Sequence, residues 1–398
     1  MDSYKLAWIS THPVQYQTPL LRLISQQKNI NLTTIFFNDF SIREYIDPEF
    51  GNSIKWDIPL TDGYNFTFLT SSLSNNSELI KFFLILKGLL IQLSSNKFDI
   101  ILIQGWNHYG YFLAAIIAKF FGIKLLLRSE ASSHINNSKG LRKIFKNVFL
   151  KKYFTYIDYF ASIGSKNYEF YIQMGVTDSK IGKIPYAVDN DFFQSIAADL
   201  DINLFKKSLG LSINRPIILY AGKLTKRKKS LDLIDAFISL TIKNLDFKPY
   251  LIIIGEGELK ENINSKIADY NLNHSIFSFG FCNQYELAKF YAIADIFVLT
   301  SINETWGLTV NEAMNGKTAI LVSNQVGSGY DLVKNGINGC VINEINTKTI
   351  SQSLVYMLEN DRYLSMGAKS LEIINTWNFS QDIIGLNDCL ANCNITKK

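Results

Sequence analysis

The chain has 398 residues, 47% of them hydrophobic and 19% charged. This is enough apolar material for two or three domains with sizeable cores, and it excludes a disordered chain. A formal net charge of +5 permits anionic ligands or a membrane surface without singling out nucleic acid, and the four cysteines (Cys282, Cys340, Cys389, Cys393) lack zinc-like spacing, so they read as reduced thiols of a cytosolic protein.

The start, MDSYKLAWIS, has no basic region followed by a long apolar core and does not read as a signal peptide. No stretch reaches the ~18 consecutive apolar residues of a spanning helix. Lys5–Ser10 reads as a buried strand, Pro19–Gln27 as a short helix and Leu32–Phe37 as a second strand. Strands and helices alternating at this spacing predict a parallel α/β sheet. Asn38–Leu69 is punctuated by Pro48, Gly51, Pro59 and Gly63 and fits either a pocket-shaping insert or a packed surface loop.

A helix over Ser77–Leu93, a strand over Phe98–Gln104, a helix over Tyr111–Phe121 and a strand over Ile123–Arg128 continue the alternation. His108 falls just past a strand's carboxyl end, where α/β folds place ligands, although a lone histidine also serves structure. Ser138–Tyr156 interleaves six lysines and arginines with apolar residues and has no acids. It predicts a basic amphipathic helix suited to an anionic membrane surface; a solvated domain-surface helix fits the same pattern. Lys183–Asp189 (KIPYAVD) reads as a strand and turn, and Asn190–Asn214 is weakly periodic. The domain boundary is placed there, with domains at 1–189 and 190–376 and a C-terminal helix at 377–398.

The second block restarts with the strand Pro216–Tyr220 and a basic loop, GKLTKRKK, in which Gly222 is followed by Lys223 and Lys228. Both lysines can reach a diphosphate over the sheet edge, where lysine acts as a compact point charge. The strand Tyr250–Gly255 opens onto Gly255-Glu256-Gly257, which lacks the third glycine of a dinucleotide fingerprint. After the strand Ile296–Thr300 comes ETWGLTVNEA, with seven residues between Glu304 and Glu312. A glycine turn opening a helix presents backbone N–H groups to an anion, here from Gly307, Leu308 and Thr309. Two carboxylates beside such a site suit a phosphorylated sugar, while Thr309-Val-Asn-Glu312 also fits a capping box. No Walker loop and no two-histidine metal pattern is present.

Together GKLTKRK, FVLTSINETWGLTVNEA, IPYAVD and NQVGSGYDLVKNGINGCV resemble the motifs of retaining glycosyltransferases of family 4, bacterial group 1 type. The second matches that family's two-glutamate motif and the third its interdomain I-P-N-G-V-D. The resemblance implies an α/β, GT-B architecture: two Rossmann-like doubly wound domains facing across a cleft, with the C-terminal helix crossing back to the first. It implies a metal-independent hexosyltransferase, with a nucleotide-diphosphate sugar as donor (UDP-sugar favoured over GDP-sugar), no cofactor and a glycan or lipid-linked acceptor in bacterial surface polysaccharide synthesis. By the same resemblance Lys223 and Lys228 bind the diphosphate, Glu304 the transferred sugar and Glu312 the ribose. Gly222, Gly255, Gly257, Phe281, Gly307, Leu308 and Thr309 line the donor site, His108 lies near the transferred sugar and joins Glu304, Lys228 and Lys223 as the catalytic set, and His12, His108 and Glu130 lie toward the acceptor. A cytoplasmic protein, peripheral on the inner face of the plasma membrane through Ser138–Tyr156, is expected. A nucleotide-sugar hydrolase or epimerase on the same fold, or a non-catalytic partner of an active glycosyltransferase, stand as alternatives.

Overall fold

A computed structural model describes residues 3–46, 53–72, 76–135, 140–242 and 248–393. The chain forms two compact units: Met1–Tyr45 with Ile58–Tyr186 and Phe379–Lys398, and Ile46–Asp57 with Ala187–Asn378.

The first unit is built on β1 (Tyr4–Ser10), α1 (Thr18–Ser25) and β2 (Ile30–Phe36). A short ribbon of β3 (Tyr45–Ile46) and β4 (Ser53–Ile54) follows, most of it counted with the second unit, and the first unit resumes before β5 (Phe66–Phe68). Next come α2 (Glu78–Ser95), β6 (Ile100–Gln104), α3 (Tyr109–Phe120), β7 (Lys124–Arg128), α4 (Gly140–Phe154), β8 (Tyr159–Ser162), α5 (Ser165–Gln173) and β9 (Ile181–Lys183). Seven strands make one sheet in the order β5-β2-β1-β6-β7-β8-β9, with parallel pairing. The middle residues of its central strands, Leu6–Ile9, Ile100–Ile103 and Leu125–Leu127, are apolar and buried, as expected of a sheet covered on both faces. The expected strand over Lys183–Asp189 is a correction. Strand β9 ends at Lys183, and Ile184–Tyr186 runs on as irregular chain, although Ile184 N and Tyr186 N still donate to the Ser162 and Ile163 carbonyls at 3.0 and 3.1 Å.

The second unit starts where weak periodicity hid two helices, α6 (Asn190–Asp199) and α7 (Ile202–Ser208), each capped by an aspartate, Asp189 or Asp201. Then come β10 (Ile217–Ala221), α8 (Ser230–Ile242), β11 (Tyr250–Ile254), α9 (Lys260–Asp269), β12 (Ile276–Ser278), α10 (Gln284–Ile293), β13 (Ile296–Leu299) and α11 (Leu308–Asn315). The unit closes with β14 (Ala319–Ser323), α12 (Gly329–Leu332), β15 (Gly339–Ile342), α13 (Thr347–Leu358) and α14 (Arg362–Asn375). Its parallel sheet runs β12-β11-β10-β13-β14-β15.

The expected domain limits shift in two places. Residues 46–57 belong with the second unit, because the Lys55 carbonyl accepts from Asn283, Asp57 Oδ2 accepts from Tyr285 N at 3.0 Å, and Trp56 meets Phe281 edge-on. The crossing falls between Tyr186 and Ala187. The last helix, α15 (Phe379–Asn392), packs on the first unit. A Cβ on Gly385 would stand 1.8 Å from the Lys183 carbonyl oxygen, so only glycine lets α15 lie this close to β9. Asp382 of α15 meets Arg128 at 3.2 Å, and both are buried.

Strand order reverses between β1 and β6 in one sheet and between β10 and β13 in the other. Doubly wound sheets bind ligands outside the carboxyl ends at such points. His12 and His108 follow β1 and β6, and the loops carrying Lys228 and Glu304 follow β10 and β13.

Candidate functional site

In the second unit, β10 is wholly buried and delivers the chain to Gly222 at the sheet edge. The loop turns through a 3-10 segment, Lys226–Lys228, and enters α8 at Lys229, whose φ of 59° is left-handed. Ile302 N donates to the Arg227 carbonyl at 2.8 Å and ties the β10 and β13 loops together. Across that tie, Lys228 Nζ stands 2.5 Å and Arg227 Nη1 2.9 Å from the same oxygen, Oε2 of Glu304. The Lys228 and Glu304 side chains are only 12% and 13% exposed, so water screens the pair weakly. Burial alone would raise the Glu304 carboxyl, but Lys228 and Arg227 hold it below the usual carboxylate range. Burial pushes the Lys228 ammonium down, Glu304 pulls it back, and Arg227 and Lys223 add repulsion. Lys223 thus belongs to the same cationic group, and its carbonyl is fixed by the Tyr220 hydroxyl at 2.9 Å.

Gly255 and Gly257 have a packing reason to be glycine. Cβ atoms there would stand 1.9 Å from the Gly222 oxygen and 2.6 Å from the Leu224 oxygen. They let the β11 loop lie directly on the β10 loop. Phe281 lies on the β12 loop against Trp56, with ring centroids 6.3 Å apart.

Gly307 caps α11 in a left-handed conformation at φ 92°, where a Cβ would also press on Leu299 at 2.9 Å. The helix begins at Leu308 and Thr309, and no side chain caps it, so the capping-box reading of Glu312 fails. Glu312 instead accepts a 2.8 Å hydrogen bond from the Tyr291 hydroxyl on α10. Burial pushes its carboxyl up to about 7, against that hydrogen bond. Glu304 and Glu312 therefore sit in opposite electrostatic settings, one charged among cations and one buried beside a phenol.

In the first unit His108 Nδ1 accepts from Gly110 N at 3.0 Å and caps α3, which assigns the ring proton to Nε2. The ring stacks on Phe37 and Tyr109, and burial lowers its pKa. His12 meets Thr11 through Nδ1 at 3.0 Å, lies edge-on to Phe40, and is likewise lowered by burial. Glu130, just past β7, accepts from the Tyr186 hydroxyl at 2.5 Å. Among the described residues no group of three or more His, Cys, Asp or Glu is placed to hold a metal ion.

Sequence reasoning missed Arg227 and Tyr291. Arg227 was legible as part of the basic run. Tyr291 had no local signal, since only the packing of α10 on α11 brings it to Glu312.

Residues 201–371 match the family model described as glycosyl transferases group 1. That match covers the second unit's sheet from β10 to β15. The chain is 25% identical over 350 residues, 85% of its own length and 88% of the other, to the UDP-Gal:alpha-D-GlcNAc-diphosphoundecaprenol alpha-1,3-galactosyltransferase of Escherichia coli. It is 27% identical over 202 residues to the alpha-monoglucosyldiacylglycerol synthase of Acholeplasma laidlawii, spanning 49% of this chain and 48% of that protein. In several relatives, the synthase included, the chain spans about half of the relative's length or less. The crystal structure of Anabaena HepE in complex with UDP and glucose superposes over 98% of this chain and 99% of that one, with a TM-score of 0.70 at 14% identity. The fold is thus the two-sheet, Rossmann-like GT-B type.

Proposed function

We propose that the protein is a retaining, metal-independent glycosyltransferase. It moves a hexose from a nucleoside-diphosphate sugar, UDP-linked in preference to GDP-linked, to a lipid-linked saccharide in the synthesis of a bacterial surface glycan. The observation that carries this reading is the Lys228–Arg227–Glu304 cluster at the strand-order reversal of the unit that matches the group 1 glycosyltransferase model.

The chemistry follows from charge. A nucleoside diphosphate leaves readily once the negative charge growing on it is stabilised by fixed cations and N–H dipoles. Lys228, Lys223 and Arg227 supply the cations, and the start of α11 at Leu308 and Thr309 supplies amides. An incoming diphosphate competes with Glu304 for Lys228, and Glu304 then turns its freed oxygen to the sugar hydroxyls. Glu312 accepts from the ribose. The acceptor hydroxyl attacks the anomeric carbon on the face the diphosphate is leaving. The new C–O bond forms as the old one breaks, and the hydroxyl proton passes to a phosphate oxygen. The acceptor class is supported by the names of the galactosyltransferase and the synthase, one with a lipid-borne acceptor and one making a glycolipid, and the UDP preference by the name of the galactosyltransferase. Helix α4 would bring the enzyme to such acceptors at the inner membrane face.

Thermal shift with UDP, GDP, ADP and CMP tests the donor site. At about 100 times its dissociation constant a nucleotide adds about 2.7 kcal/mol, or roughly 5 to 10 °C for a unit of this size. UDP should give that shift, and Lys228→Ala should abolish it. No shift with any of the four would refute the donor assignment.

A further inference from the structure

Trp306 stands two residues past Glu304 and one before the Gly307 cap of α11, and it is buried, at 3% exposure. Its backbone belongs to a turn held by the loop after β14. Glu304 N donates to the Gln325 carbonyl at 3.0 Å, Gly327 N to the Glu304 carbonyl at 3.0 Å and Ser328 N to the Trp306 carbonyl at 2.9 Å. The Trp306 side chain leads elsewhere. Its indole N–H donates to Asn311 Oδ1 on α11 at 3.0 Å, and its ring stacks on Trp377 with centroids 5.6 Å apart and planes 20° from parallel. Asn315 Nδ2 donates to the Asn311 carbonyl at 2.9 Å and to Asn190 Oδ1 at 3.0 Å. Asn190 Nδ2 donates in turn to the carbonyls of Ile374 at 2.9 Å and Trp377 at 3.3 Å. The path closes on itself, from Trp306 through α11 to Asn190, on to Trp377 and back across the two stacked rings.

Asn190, Asn311, Asn315, Trp306 and Trp377 are all buried. A polar group left unpaired in such a place is costly, and a satisfied buried network fixes one arrangement. Helix α11 is already seated by Val310, Ala313 and Met314, none of which has exposed surface. Three buried asparagines and an indole are therefore more than anchoring the helix requires. What they add is direction, since hydrogen bonds and a ring stack fix angle and register where apolar contact does not. Two members also stand beside the points where the chain passes from one unit to the other: Asn190 follows Tyr186–Ala187, and Trp377 precedes Asn378–Phe379.

We propose that Trp377 is a positioning residue for the donor diphosphate: stacked on Trp306 and tied to α11 through Asn190, it sets the turn that carries Glu304 and the N–H groups that open α11. The assignment rests on the glycosyltransferase reading above. A shift of this turn moves the Glu304 carboxylate away from Lys228 and the amides away from the phosphate together.

The test is calorimetric titration of the full chain with UDP and UMP, which differ by the terminal phosphate. The wild type should prefer UDP. Trp377→Leu removes the ring but keeps the Trp377 carbonyl for Asn190, and it should cut that preference about tenfold, the size of one hydrogen bond to a charged group. Trp306→Phe, which loses the N–H to Asn311, should do the same. Trp377→Phe gives back a stacking ring and should recover most of the preference. A merely structural loss would lower the melting temperature and weaken both nucleotides alike, leaving their ratio unchanged. Should Trp377→Leu fail to fold, Trp377→Met repeats the test with a longer apolar side chain. NMR of the indole protons without nucleotide checks the link itself: the Trp306 N–H should exchange slowly in the wild type and several-fold faster in Trp377→Leu. A wild-type ratio in the folded Trp377 variant, or unchanged exchange at Trp306, would overturn this assignment alone. If the wild type bound neither nucleotide, the donor reading would fall and this assignment with it.

Discussion

Glu312 shows how one buried carboxyl can couple proton uptake to both stability and ligand binding. Its value of about 7 lies above the ordinary 4.5, so between those pH values the native chain keeps a proton that the unfolded chain has lost. The resulting stabilisation is complete below the ordinary value and is lost as pH rises through the folded value, on the order of 3 kcal/mol in all. Glu312→Gln should match the wild type near pH 5 and exceed it near pH 8 in denaturant midpoint. UDP affinity should move the other way. Relative to Glu312→Gln, in which titration of the diphosphate cancels, the wild type should bind UDP more tightly as pH goes from 6 to 8. A pH-independent ratio would remove Glu312 from the ribose. Lys229 is a quieter departure at this scale: it takes a left-handed φ of 59° where glycine is the easier residue, and pairs with Asp232 at 3.5 Å.

At the scale of elements, α15 is seated on the first unit by shape and by charge. Gly385 lies on the Lys183 carbonyl, Cys389 faces Gly182, and Asn387 Oδ1 accepts from Asn29 at 2.7 Å. The Arg128–Asp382 pair is buried on both sides, at 2% and 1% exposure, so removing one partner strands the other charge away from water. Asp382→Ala should cost about 3–5 kcal/mol in urea unfolding. A loss below about 1 kcal/mol would mean that packing alone holds the helix. The cost should fall on the first unit, leaving the proposed UDP binding by the second unit intact.

For the whole molecule the question is where it works. No helix among the described residues is long and apolar enough to cross a membrane. Helix α4 exposes Ile144, Phe145, Val148 and Phe149 beside Lys146, Lys151 and Lys152, and its neighbour α3 exposes Ile116 and Phe120. Ser138 and Lys139 of the expected basic helix lie outside the described residues, as do the side chains of Leu141, Arg142 and Lys143. Apolar rings ringed by lysines suit the headgroup region of an anionic bilayer, with about 1 kcal/mol per cation near the surface. The protein should sediment with phosphatidylglycerol vesicles at low ionic strength, release in high salt, and lose binding by more than about tenfold in Phe145→Glu with Phe149→Glu. Equal sedimentation of the double variant would move the contact elsewhere.

The sequence by itself determined the elements whose signals are local. Continuous apolar runs such as Tyr250–Ile254 have one reading when glycine and a helix follow, and the α/β alternation with its restart at Pro216 fixed the fold class. The basic loop at Gly222–Lys228 and the two glutamates were legible for the same reason, since anion sites need cations and open amides at a strand's end. Elements failed where signals were weak or conflicting: α6 and α7 lack strong apolar period, and the run from Lys183 looked like strand where β9 had already ended. Only the tertiary structure decided which partners those residues take. Glu312 could cap its helix or be buried against Tyr291, and sequence spacing permits both; the packing of α10 on α11 chose the second. The glycines of the β11 loop also make room for the β10 loop, a packing demand that no sequence motif announced. Trp56 and Asp57 joined the second unit from 130 residues before Tyr186, and Asp382 reached Arg128 across 254 positions. Such pairings depend on chain closure over long separations, which no local pattern encodes.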